Sequence, residues 1–161
     1  LIPAGKFSYD FQKNIILQSI LVHWATGGSK FFIYSLWDII ELDANLTRKE
    51  IRQYKKGFFG LLKKDLSQKP SFKAVKWLST ILPYYNPIEI KEKDDGIIIA
   101  VLDKKDGKKG YFTWGMKTNK NMYRKMKDSL SSVKSFNKEI NLNGNSFLNA
   151  TFTNDEVLFW E

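Results

Sequence analysis

The sequence has no cysteine, which excludes a disulfide scaffold and any cysteine-ligated zinc site. A single histidine, His23, is too little imidazole for a His-rich metal centre, and it argues against a Ser-His-Asp triad. Arginine is scarce as well. Arg48, Arg52 and Arg124 are the only three, so lysine carries most of the net charge of +9. Bidentate recognition of phosphates and bases relies on arginine. The basic balance therefore reads as a lysine-solvated surface, with no nucleic-acid partner. Long apolar runs are absent too. The longest apolar-rich stretch, 15–25, is broken by Gln18, Ser19 and His23, whereas a bilayer span needs about 20 residues. No membrane partner is expected. Leu1-Ile2-Pro3 is not the charged start of a secretory signal. Leu1 where a Met would start a chain is read as the mark of a fragment or processed chain, which leaves the compartment unknown.

What is present is a core. Hydrophobic residues make up 43% of the chain and aromatics 15%, enough to argue against disorder. Residues 10–25 read as a helix, with Phe11, Ile15, Ile16, Ile20 and Trp24 at helical spacing. Asp10 is placed to cap it and Gly27-Gly28 to end it. Phe31-Phe32-Ile33-Tyr34-Ser35-Leu36-Trp37 is apolar without alternation, as in a strand covered on both faces of a parallel sheet. A loop follows over 39–46. Thr47 and Glu50 form a capping box for a short helix that Gly57 stops. Pro70 suits a first helical position, and Phe72, Val75, Leu78 and Leu82 give the next apolar stripe.

After Pro87 the period changes to two. Ile88 and Ile90 alternate with Glu89 and Lys91, and 97–102 is a β-branched run. Asp106-Gly107 sits between that run and Tyr111-Phe112-Thr113-Trp114, as a hairpin requires. Residues 147–152 and 157–160 read as closing strands, and 117–138 as an edge strand and loop or a short helix. The fold class is thus α/β plus all-β, with an α/β part over 1–86 and an antiparallel β-sandwich over 87–161.

The piece over 58–75 is the most informative. Gly60, Leu61, Leu62, Asp65, Lys69, Pro70, Phe72, Ala74 and Val75 resemble the last barrel loop and helix of clan A glycoside hydrolases. Phe31-Phe32-Ile33-Tyr34-Ser35-Leu36-Trp37-Asp38 is similar to their eighth barrel strand, and 20–28 to the seventh helix and its end. Asp106-Gly107 with Tyr111-Phe112-Thr113-Trp114 resembles a hairpin of their trailing β-sandwich. The ending 153–160 resembles its last strand, with Glu156 where the family often has proline. Residues 117–141 depart from the pattern. The resemblance implies the last strand and helices of a (β/α)₈ barrel followed by a small antiparallel β-sandwich. A whole barrel takes about 250 residues, so most of it would lie outside this chain.

The resemblance also implies where the chemistry sits. Retaining glycosidases use two carboxylates, one as acid/base and one as nucleophile. In the resembled clan these are glutamates that would precede Leu1, so no catalytic residue is assigned here. Asp38, Glu41 and Asp43 cluster after the expected strand, but their spacing demands no acid/base pair. Trp37 is the best candidate for a sugar platform, since a flat apolar ring suits the C–H face of a pyranose; the plain alternative is packing between strand and helix. Tyr34, an inner barrel or core residue, and Asp38, an acceptor for a sugar hydroxyl, complete the substrate-binding candidates. His23 and the other four tryptophans read as structural. No metal or other cofactor is expected. The partners expected are a carbohydrate and the missing N-terminal part of the barrel, because a lone barrel piece exposes strand edges and apolar faces around 31–37. The competing reading is a non-catalytic carbohydrate-binding or scaffolding module.

Overall fold

The computed structural model describes residues 8–39, 59–93, 96–104, 106–115, 132–135, 138–141 and 156–160. Helix α1 spans Tyr9–Ala25. Its cap is Ser8, not Asp10: the Ser8 hydroxyl accepts from the Phe11 N–H at 3.1 Å. Asp10 lies in the first turn and pairs with Lys13 at 3.0 Å. The buried line of α1 is Gln12, Lys13, Asn14, Leu17 and Leu21, while Ile15 and Val22 are exposed. The face is thus turned from the expected one. Apolar residues lie almost all round this helix, so its periodicity leaves the choice of face to the packing partner.

That partner is helix α2, Pro70–Ser79, which starts at Pro70 as expected. It buries Ser71, Ala74 and Leu78, with Ile81 and Tyr85 continuing the line. Phe72 and Val75 flank that line. A single 3₁₀ turn, Leu82–Tyr84, leads into the strands.

The strands are β1 Pro87–Lys93, β2 Gly96–Asp103, β3 Lys109–Trp114, β4 Ser132–Ser135, β5 Lys138–Asn141 and β6 Leu158–Trp160. The described strands form one antiparallel sheet in the order β1-β2-β3-β6-β4-β5. Asp106-Gly107 makes the β2–β3 turn: the Gly107 N–H donates to the Lys104 carbonyl at 2.8 Å, and Gly107 takes a φ of 80° that a side chain would strain. Two features are left open by the sequence pattern. The end of the 117–138 stretch forms β4, which pairs with β5 as a hairpin. The closing strand β6 is central, lying between β3 and β4. The expected capping box at 47–50, its helix, and the strand at 147–152 lie outside the described residues.

The core runs from the helices into the sheet. Leu17 and Leu21 of α1, Ala74 and Leu78 of α2, and Ile81 and Tyr85 form one cluster with Phe112, Trp114, Val157 and Phe159. Rings make the joint: Phe112 lies 4.9 Å from Phe159 and meets Trp77 edge-on at 6.5 Å. Tyr85 meets Phe159 at 5.5 Å. On the alternate positions Thr113, Leu158 and Trp160 are buried too, and the Trp160 indole N–H donates to the Thr113 hydroxyl at 2.7 Å. The centre of the sheet is therefore covered on both faces.

Phe112 joins helix and sheet, so truncating it should open a cavity that neither layer can fill. Phe112→Ala is expected to lose about 3–5 kcal/mol in urea unfolding, whereas Ile88→Ala, at a position 55% exposed, should lose under about 1 kcal/mol. Similar losses for the two variants would contradict this core.

Candidate functional site

Between the helices the chain passes through 31–39, the segment expected to be a strand. It forms no regular ladder there. Among the described residues its one bridge is a parallel contact of Trp37 with Leu62, and Leu62 bridges on to Gln68. A parallel strand needs neighbours on both sides, and among the described residues the backbone of this segment bridges only to the short loop at 60–62. Its apolar side chains are exposed instead of covered. Phe32 is 87% exposed, Tyr34 72% and Trp37 51%, and Leu36 and Ile39 are exposed beside them. The Tyr34–Ser35 peptide bond is cis.

Asp38, next in the chain, is the opposite: it is 2% exposed. Its carboxylate faces Lys69, which is fully buried, with the ammonium 2.6 Å from Oδ1 and 2.5 Å from Oδ2. Asp38 Oδ1 also accepts from the Gly60 N–H at 2.9 Å. The Gly60 carbonyl in turn accepts from Lys69 Nζ at 2.9 Å and from Gln12 Nε2 at 3.0 Å. One buried network therefore ties α1, the 31–39 segment, the 60–62 loop and the start of α2. Lys69 also caps α2 with its backbone, its carbonyl accepting from Phe72 N–H at 3.1 Å. A cation at a helix N-terminus opposes the helix dipole, and the Asp38 carboxylate supplies the compensating charge. The Tyr9 ring lies 5.2 Å from the Lys69 ammonium.

The electrostatics follow from burial. Desolvation raises the Asp38 carboxyl above its ordinary range, against the downward pull of the Lys69 hydrogen bond and charge and of the Gly60 N–H. Desolvation lowers the Lys69 ammonium, opposed by Asp38. The Tyr9 hydroxyl is raised, first by burial and then by Asp38 and Asp65.

The sequence-predicted residues thus separate. Trp37 and Tyr34 present their rings to solvent, while the Asp38 carboxylate turns inward to Lys69. His23 donates from Nε2 to the Lys30 carbonyl at 2.7 Å and packs edge-on to Phe31. Trp114 and Trp160 are buried, and Trp24 and Trp77 pack on the core. Residue type and spacing do not mark Lys69, Gly60 and Gln12 as site residues. Lys69 and Gly60 stood in the 58–75 piece as motif positions without a role; Gln12 gave no signal, being a polar residue in an apolar helix.

No family model matches the chain, and no curated protein matches it. Among solved structures, it is similar to a family 39 glycoside hydrolase from the gut symbiont Bacteroides cellulosilyticus WH2, with a TM-score of 0.60 and 16% sequence identity. The match covers 96% of this chain and 30% of that chain. At that identity the likeness is one of fold, and this chain spans about a third of the length of the protein it matches.

Breaking the ion pair from one side strands a buried charge. Lys69→Met is expected to cost about 3–5 kcal/mol, and adding Asp38→Asn to it to recover most of the loss. Without Lys69, the carboxyl of Asp38 keeps its upward shift from burial, so the folded state binds a proton more tightly than the unfolded state. The deficit of Lys69→Met should then narrow as pH falls through the raised Asp38 pKa. Urea unfolding of the single and double variants checks this; equal losses, or a deficit that widens on acidification, would contradict it.

Proposed function

We propose that this chain is the C-terminal part of a retaining glycoside hydrolase acting on a β-linked glycoside or polysaccharide. In this reading, residues 1–86 are the last strand and helices of a (β/α)₈ barrel, and residues 87–161 are a trailing antiparallel β-sandwich. The observation that carries it is the fold likeness to a family 39 glycoside hydrolase over 96% of this chain. Three features support it further. Trp37 bridges Leu62 in the parallel sense, as neighbouring barrel strands do. The apolar 31–39 segment is exposed, as a barrel strand would be without its neighbours. The helices cover one face of the sheet centre, and the opposite face, with Thr113, Leu158 and Trp160, is buried as the inner face of a sandwich is. The missing covering of 31–39 would come from the earlier part of the barrel.

The chemistry of such an enzyme needs an acid/base carboxyl and a nucleophilic carboxylate about 5–5.5 Å apart. Asp38 does not offer either role, because its oxygens are committed to Lys69 and Gly60. The chain supplies one wall of the sugar site, with the Trp37 ring as platform and Tyr34 beside it, and it is inactive alone.

A second reading rests on the same exposed aromatics: a non-catalytic module that holds carbohydrate on Phe32, Tyr34 and Trp37. The two readings part on activity. This chain alone should give no turnover of 4-nitrophenyl β-glycosides. The longer protein encoded by the reading frame upstream of Leu1 together with this chain should hydrolyse them with retained anomeric configuration. Turnover by this chain alone, or an inactive longer protein, would overturn the enzyme reading. Retention of the chain on insoluble β-glucan or xylan, lost in Trp37→Ala, would favour the binding module in the second case.

A further inference from the structure

Trp37 is half exposed, yet the backbone on both sides of it is tightly held. The Leu36 carbonyl accepts from the Leu61 N–H at 3.0 Å and the Leu62 N–H at 2.9 Å. The Asp38 N–H donates to the Leu62 carbonyl at 2.9 Å. Beneath these, the Asp38 carboxylate takes the Gly60 N–H and the Lys69 ammonium, while the Gly60 carbonyl takes Lys69 and Gln12. Gly60 has no room for a side chain: a Cβ there would lie 2.5 Å from the Asp38 nitrogen and 2.6 Å from the Trp37 Cα. The backbone of Trp37 thus rests directly on a glycine that is fixed by Lys69 and Gln12.

We propose that the buried Gln12–Gly60–Asp38–Lys69 network is a positioning device for the Trp37 ring, with Lys69 and Gln12 as positioning residues. This rests on the reading of Trp37 as a sugar platform. Apolar packing holds helices together as well as a buried ion pair does, or better. Directional hydrogen bonds add geometry: they set where the Trp37 Cα sits and which way its Cβ leaves the backbone. A stacking platform needs that, because every rotamer frozen on binding subtracts from affinity, and a ring displaced by a fraction of an ångström loses its partner. The network is assembled from four separate stretches of chain: α1, the 31–39 segment, the 60–62 loop and the start of α2.

The test is ¹⁹F NMR of the chain labelled with 5-fluorotryptophan, which reports all five tryptophans. Trp37→Phe assigns its line by deleting it. Lys69→Met, and Gln12→Leu, which removes one donor to the Gly60 carbonyl, are each expected to shift the Trp37 line by more than its own width and leave the Trp160 line in place. Leu78→Ala, a core truncation away from the network, should leave the Trp37 line unmoved. If Lys69→Met fails to fold, Gln12→Leu decides. A Trp37 line unmoved by the network variants, or moved as far by Leu78→Ala, overturns the proposal. Titration with cellohexaose and xylohexaose separates it from the underlying reading. A Trp37 line that answers to the network variants and to neither sugar keeps the coupling and sinks the platform. One that answers to a sugar and not to the network does the reverse.

Discussion

A lysine ammonium and an aspartate carboxylate with no solvent around them are a poor bargain unless geometry makes up for lost hydration. At Asp38 and Lys69 it does. Lys69 donates to Asp38 and to the Gly60 carbonyl, and Asp38 also accepts from the Gly60 N–H, so neither charge is buried alone. The partners are 31 residues apart in sequence, and the contact closes the loop between the end of the 31–39 segment and the start of α2. Gln12 extends the same network to α1. The relative placement of both helices and the exposed aromatic segment therefore depends on one small group of polar atoms.

Around that polar centre the stabilisation is hydrophobic. Leu17 and Leu21 pack against Ala74 and Leu78, and the line continues through Ile81 and Tyr85 onto Phe112 and Phe159 of the sheet. The core crosses the point where the sequence changes period, near Pro87. Composition and period mark a change of secondary structure there, and side-chain packing carries across it. The sheet is held at its centre by β6, whose three residues are all buried and which pairs with β3 on one side and β4 on the other.

Much of the fold was legible because its signals are local. Pro70 marks the start of α2, and Asp106-Gly107 marks the β2–β3 turn. Other features have no local signature. Ser8 rather than Asp10 caps α1, a choice between two good capping residues two positions apart. The buried face of α1 is set by α2, since apolar residues occur on most sides of the helix. The run at 31–37 has the composition of a covered strand, but composition cannot supply the neighbouring strands that would cover it. In the candidate site, Trp37 and Tyr34 stood out by residue type. Asp38 reads as an acceptor for a sugar hydroxyl at the end of the expected strand, whereas the partner it has in the structure, Lys69, lies 31 residues away and has no local signature. Gln12 could be placed only by the fold.

The central claim is that the Asp38–Lys69 network is a rigid, cooperatively held part of the molecule, even though the segment it anchors is exposed. Native-state hydrogen exchange at the Asp38 and Leu62 amides tests it most directly, since both N–H groups donate within this joint. The account predicts that they exchange only with global unfolding, at the free energy of the Leu21 amide in the core of α1. Exchange at the rate of an open loop, well ahead of Leu21, would contradict it.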